Sequence, residues 1–314
     1  MYKKILDLLK NSNKEIYICG HINPDQDSIG SCLALAKFLY NFNKKVYVLL
    51  QDSDKSVVKW QNDFFALKDK IDCAEEYVFI ALDVNEKKRL GVYIDDYKNA
   101  SLKINIDHHE GNFMDADCTI SQQSASSTCE IIYKLICSCE KKFLTKSICE
   151  SLYAGILTDT NGFTRRLSNK TMAIAQELIN FKIDYEYIIK STFSKRTLGE
   201  YDALAYLVKN IKTANGFSYA VADLNTKDFV NLELNELLKI VAEDLRKLDF
   251  IENFVLFIIK KDSLLTAKVM TKDLPANKIA ELFGGGGHKR EAGFTINNAD
   301  VKDIVSKIEK FINE

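Results

Sequence analysis

Four apolar runs of strand length, Glu15 to Gly20, Lys45 to Leu50, Tyr77 to Asp83 and Leu102 to Asp107, alternate with helical or charged segments, and that alternation leaves few architectures open. A run of this length between turn signals reads as a buried strand. Asp27 to Asn41 carries Ile29, Cys32, Leu33, Ala36, Phe38 and Leu39 at helical spacing, so the chain begins as strand, tight loop, helix. Strands without a polar face are covered on both sides, which predicts an α/β fold with a mostly parallel sheet flanked by helices. Ligands of such sheets gather at the carboxyl ends of the strands, and His21, Asp83 and Asp107 all fall at or just past such an end.

The polar turn Ser121 to Thr128 opens a helical stretch, with segments expected at 129–140, 145–157, 170–181, 184–192 and 197–211. Strands return at Phe217 to Asp223, Asn253 to Lys260, Leu264 to Met270 and Phe294 to Asn297, with helices near 235–248, 276–283 and 300–313. This predicts a second, smaller α/β domain. The expected division is 1–190, a helical connection over 191–210, and 211–314, with the boundary in the polar stretch Lys190 to Glu200.

Charge and cysteine content exclude several classes. The net charge is −1 and each half is balanced, whereas a protein that tracks long duplex nucleic acid carries a basic bias to neutralise many phosphates. An anionic partner, if there is one, is therefore short or small. The eight cysteines form no Cys-x-x-Cys pair and sit in apolar patterns, as reduced core thiols of a cytoplasmic chain do. The first ten residues are an amphipathic helix broken by charges and make a poor signal peptide, and no apolar stretch approaches about 18 residues, so no membrane contact is expected.

All four histidines lie in three short stretches. His21-x-x-x-Asp25-x-Asp27 combines one nitrogen and two oxygen donors at a strand-to-helix turn, a mixture that Mn²⁺ and Mg²⁺ accept, with Zn²⁺ or Co²⁺ as further choices. The plainer alternative is that Asp25 or Asp27 caps the following helix and His21 lies at the surface. Asp107-His108-His109 sets three ionisable groups at the end of a buried strand, a costly arrangement unless they are paired or metal-bound. Asp83 and Asp159 each end an apolar element, and either could be an ordinary turn residue. Gly284-Gly-Gly-Gly287 followed by His288, Lys289 and Arg290 reads as a loop whose backbone approaches an anionic ligand closely. Its spacing does not match a P-loop.

Taken together, Gly20-His-x-Asn-Pro-Asp25-x-Asp27-Ser-Ile-Gly30, Asp83, Asp107-His-His109, Gly155-Ile-Leu-Thr-Asp159 and Gly284-Gly-Gly-Gly-His288 resemble the DHH phosphoesterase family over almost the whole chain. Arg89-Leu-Gly91, Asn112 and Ser124-Ala-Ser-Ser-Thr128 are smaller echoes of the same family. The resemblance implies a catalytic domain binding two divalent metal ions, Mn²⁺ first among them, and a DHH-associated domain that holds the substrate across a cleft. His21, Asp25 and Asp83 would bind one ion, and Asp27, His108 and Asp159 the second, with Asp83 bridging. His109 would contact the scissile phosphate or orient a ligand, and Asp107 would fix a neighbouring imidazole. Gly284 to Gly287, His288, Lys289 and Arg290 would grip the substrate.

The implied activity is hydrolysis of very short RNA to mononucleotides and removal of the 3′-phosphate of 3′-phosphoadenosine 5′-phosphate, by attack of an activated hydroxide. Alternatives are a linear or cyclic dinucleotide phosphodiesterase of the same family, a manganese pyrophosphatase, which the glycine run argues against, and a catalytically silent nucleotide-binding module. The family also leaves a homodimer open. Two departures, Val269-Met-Thr-Lys272 in place of an arginine-bearing segment and Glu291 in place of a small residue, touch substrate binding rather than metal binding.

Overall fold

The computed structural model describes residues 1–51, 67–72, 76–193, 197–226, 251–260 and 264–313, together with the single positions 229, 237, 244, 245 and 248. The chain divides into two compact units, Met1–Ser194 and Lys195–Glu314.

In the first unit, α1 (Tyr2–Asn11), β1 (Glu15–Cys19), α2 (Gln26–Tyr40), β2 (Val46–Leu49), β3 (Leu67–Lys68), β4 (Tyr77–Leu82), α3 (Ile94–Asn99), β5 (Leu102–Asp107) and β6 (Cys118–Ser121) come first. The helices α4 (Thr128–Cys139), α5 (Lys146–Asp159), α6 (Asn169–Ile179) and α7 (Tyr185–Thr192) follow. The sheet runs β3-β2-β1-β4-β5-β6 and every pairing in it is parallel. From β1 the chain builds outward through β2 and β3, returns to lay β4 beside β1, and then builds the other way. The reversal makes a crevice at the carboxyl ends of β1 and β4, which is where α/β sheets bind ligands.

The strands are buried on both faces, and their period of two survives underneath. Ile16, Ile18, Val78, Ile80, Leu82, Ile104 and Ile106 pack against α1, α2, α4 and α5 on one side. Tyr17, Cys19, Tyr77, Phe79 and Ala81 meet Leu90, Tyr93 and Tyr97 on the other. Behind the crevice α2 and α5 approach closely: a Cβ on Gly155 would lie 2.9 Å from Asp27 Oδ1 and 3.0 Å from Asp27 Cα, and closer still to Cys129 Sγ. The seven described cysteines are free.

The second unit contains α8 (Leu198–Lys209), β7 (Lys212–Ala214), β8 (Phe217–Asp223), β9 (Asn253–Ile259), β10 (Leu264–Thr271), α9 (Ala276–Glu281), β11 (Gly286–His288), β12 (Glu291–Asn297) and α10 (Val301–Asn313). Its sheet runs β11-β12-β10-β9-β8-β7, with only β8 and β9 parallel. The helix expected near 235–248 lies outside the described residues.

The structure departs from the sequence reading at three kinds of place. The strands β3, β6 and β7, two to four residues long, are too short to show a pattern. The last strand starts at Glu291 rather than Phe294, because Glu291 to Gly293 pair with both β10 and β11. The glycine run is not wholly a loop, since Gly286–His288 form an edge strand. A Cβ on Gly285 would meet Gly293 O and Phe294, and one on Gly287 would meet Ala292 Cα and Glu291 O, whereas Gly284 and Gly286 face open space. Two of the four glycines are therefore required by β12 itself.

Candidate metal centre

His21 is buried just past β1, with Nδ1 2.8 Å from the Ile22 carbonyl. That partner assigns a proton to Nδ1, so a neutral His21 presents its Nε2 lone pair and a protonated one donates from Nε2 to Asp83. Nε2 stands 3.4 Å from Asp83 Oδ2 and 3.9 Å from Asp25 Oδ2. Asp25 is the N-cap of α2, its Oδ1 accepting from the N–H groups of Asp27 and Ser28 at 3.0 Å each. Capping and facing His21 are thus tasks of two different oxygens of one carboxylate.

Asp83 follows β4 directly with φ +61°, in the left-handed region that Asp and Asn enter more readily than other non-glycine residues. It is 2% exposed, and its Oδ1 accepts from Thr128 Oγ1 at 3.0 Å. Asp27 is fully buried. Its Oδ2 accepts from Thr128 N at 2.7 Å and its Oδ1 from Cys129 N at 2.8 Å, two of the amides that the start of α4 leaves without helical partners. His108 Nε2 lies 3.2 Å from Asp159 Oδ2 at the end of α5, 3.5 Å from Asp83 Oδ1 and 3.8 Å from Asp27 Oδ2. His109 Nδ1 pairs with Asp107 Oδ1 at 2.8 Å and stands 3.5 Å from Asp83 Oδ1, while Asp107 Oδ2 accepts from Asn112 Nδ2 at 3.2 Å.

Ligand atoms in three groups, His21–Asp25–Asp83, Asp27–His108–Asp159 and Asp83–His108–His109, lie within 4.8 Å of one another. Donors held about 2.0–2.2 Å from one ion stand roughly 3–3.5 Å apart, close to the separations found here. Nitrogen and oxygen donors without a thiolate suit a divalent ion of hard to borderline character. Gly284 to Arg290 belong to the second unit.

The electrostatics of the bare side chains favour a cation among them. Burial, with the charges of Asp83, Asp159 and Asp25, pushes the Asp27 carboxyl well above the usual range. Burial, with Asp25 and Asp83, pushes Asp159 up to about 8. Burial alone would also raise Asp83, but the hydrogen bond with His21 and the charges of His108, His21 and His109 hold it below the ordinary carboxylate value. Burial lowers His108. It opposes protonation of His21 and His109 too, yet Asp83 raises the first and Asp107, with Asp83, the second. Clustered carboxylates of this kind are relieved by positive charge, and the Arg166 guanidinium already stands 3.8 Å from Asp159 Oδ2.

Two contributors went unread in the sequence. Asn105 donates to the carbonyls of Ala81 and Val84 and accepts from Asn112, bracing the ends of β4 and β5. Its signal was an amide side chain within Leu102 to Ile106. Arg166 had only its proximity to Asp159 to suggest it.

Because both Asp27 oxygens accept from backbone N–H groups, Asp27→Asn turns an amide NH₂ toward Thr128 N or Cys129 N. The variant should lose about 1–3 kcal/mol of stability, the cost of a buried group left unpaired. Urea unfolding that leaves the midpoint unchanged would show that these bonds do not bind Asp27 in place.

Residues 15–156 match the DHH family N-terminal domain and residues 219–314 the DHHA1 domain, together roughly three quarters of the chain. The Mycoplasma genitalium protein MG371 is 29% identical over 300 residues, 94% of this chain and 89% of that protein. The bifunctional oligoribonuclease and PAP phosphatase NrnA of Bacillus subtilis is 25% identical over 310 residues, 95% of each chain. In fold, the structure matches an exopolyphosphatase-related protein from Bacteroides fragilis with a TM-score of 0.86 at 22% identity, over 100% of this chain and 98% of that one.

Proposed function

From the chain's membership of the DHH phosphoesterase family, with a DHHA1 domain after the catalytic one, we propose that this hydrolase cleaves very short RNA to mononucleotides and removes the 3′-phosphate of 3′-phosphoadenosine 5′-phosphate. The observation that carries the reading is the overlap of the His/Asp groups on Asp83, which belongs to two of the three. His21, Asp25 and Asp83 would hold one divalent ion, and Asp27, His108 and Asp159, with Asp83 shared, a second, Mn²⁺ being the preferred metal. Bound ions supply Lewis-acid charge to phosphoryl oxygens and make water acidic enough to ionise near neutral pH.

The remaining roles belong to protein side chains. The Ile22 carbonyl keeps His21 in the tautomer that binds through Nε2. The amides at the start of α4 keep Asp27 oriented and partly offset its charge. The Asp107–Asn112 pairing orients His109, and Asp107 with Asp83 favours its imidazolium, whose Nε2–H can donate to a phosphoryl oxygen. In the second unit Gly284 to Gly287, His288, Lys289 and Arg290 are read as the segment that holds the substrate. The unusual Glu291 there is neutralised by an ion pair with Lys268.

Rates on 2- to 20-nucleotide RNAs, 3′-phosphoadenosine 5′-phosphate, pApA and cyclic di-AMP, compared by kcat/KM with Mn²⁺, test the proposal. The shortest RNAs and the bisphosphate should lead, and a protein that leaves both intact would sink it. Mn²⁺ should also raise Tm reversibly to EDTA, since a ligand at a hundred times its Kd stabilises by about 2.7 kcal/mol. An unmoved Tm at millimolar Mn²⁺ would remove the metal assignment.

A further inference from the structure

Phe113 is the most exposed aromatic side chain among the described residues, 76% accessible, and it stands four residues past His109 on the turn leaving β5. Scattered surface hydrophobics are ordinary, but the backbone under this one is held by hydrogen bonds on both sides. Phe113 N donates to Asn85 O at 2.7 Å, and Asn85 Nδ2 donates to Glu110 O at 3.3 Å. Asn112 Nδ2 donates to Asn105 Oδ1 at 2.6 Å and to Asp107 Oδ2 at 3.2 Å, and its Oδ1 accepts from Met114 N at 3.1 Å. Four of these bonds tie residues 110 to 113 to the ends of β4 and β5, and the fifth closes the turn on itself. The side of the turn next to Phe113 is Gly111, with φ +66°, where a Cβ would come within 3.1 Å of the ring.

We propose that Phe113 is a stacking platform for a nucleobase of the substrate, a reading that rests on the phosphoester-hydrolysing centre proposed above. Each part of the arrangement has a consequence for binding. The Asp107 that accepts from Asn112 also orients His109, so the ring is carried by the same short segment that faces the reacting phosphate. The turn is ordered before any ligand arrives, so a base landing on the ring does not have to immobilise it. A phenyl face has no hydrogen-bonding pattern to read, so it accepts any base. The ligand class is therefore a nucleotide unit recognised by its base without preference for which base it is.

The experiment compares calorimetric binding of AMP and of ribose 5-phosphate, in Mn²⁺, to the full-length wild type, Phe113→Ala and Phe113→Trp. Wild type should bind AMP about five- to a hundredfold more tightly than ribose 5-phosphate, as one base–aromatic stack provides. Phe113→Ala should lose that preference while keeping its affinity for ribose 5-phosphate, and Phe113→Trp should restore it. UMP and GMP should follow AMP. An equal loss on both ligands, or no loss on either, overturns the proposal. Hydrolysis of short RNA is scored separately. A preference abolished in Phe113→Ala without any hydrolysis leaves the platform standing and removes the proposed activity; hydrolysis with no change in preference does the reverse.

Discussion

Asp83→Asn should lower kcat/KM by about a thousandfold or more and abolish the Mn²⁺-dependent rise in Tm, while the metal-free protein keeps its fold. Asparagine is the right replacement because position 83 has φ +61°. Asn tolerates that region, and its Oδ1 can still accept from Thr128 Oγ1. Asp83→Ala would confound the test, adding backbone strain of about 1–2 kcal/mol and a hydroxyl without its acceptor to the loss of the ligand. Activity within tenfold of wild type in excess Mn²⁺ would mean that Asp83 does not join the two groups of ligands.

Gly155→Ala should destabilise the protein by about 1–3 kcal/mol and weaken Mn²⁺ binding with it. Helix propensity alone gives the opposite sign, since alanine exceeds glycine by about 0.8–1 kcal/mol in a helix interior. The sign turns on what the new methyl meets. In α5 it meets Cys129 Sγ and the Asp27 backbone and carboxylate, so α5 must move away from α2 or Asp27 must shift off its two amides. Gly199→Ala in α8 is the control, because a Cβ there has only Thr197 Oγ1 nearby, at 3.9 Å, and it should be neutral or slightly stabilising. A Gly155→Ala protein as stable as wild type would show that the crossing of α2 and α5 is not as close as described.

The parallel sheet was legible because its strands are continuous apolar runs ending in Gly20, Asp83 and Asp107, and the residues that cluster were visible as charged groups at those ends. What their spacing could not show is how they are held. Asp25 was read as a cap or a ligand, and one of its oxygens caps α2 while the other faces His21. Thr128 stood out only as part of a serine-rich turn, yet its amide and hydroxyl reach Asp27 and Asp83 from more than forty residues away. Contacts of that range depend on the packing of α4 against α2, which no local periodicity encodes. The glycine run was read for its freedom alone, because nothing near Gly285 or Gly287 in sequence announces that Phe294 and Ala292 will lie against them.

The crevice at the strand reversal draws its histidines and carboxylates from the loops after β1, β4 and β5, from the start of α2 and from the far end of α5. No short stretch of chain holds both groups: His21, Asp25 and Asp83 are all present once β4 has been made, whereas Asp27, His108 and Asp159 meet only when α5 has docked. If the second group holds an ion as proposed, the choice of that ion falls to the finished geometry and to whichever divalent metal is abundant when folding ends, not to the order in which its ligands leave the ribosome.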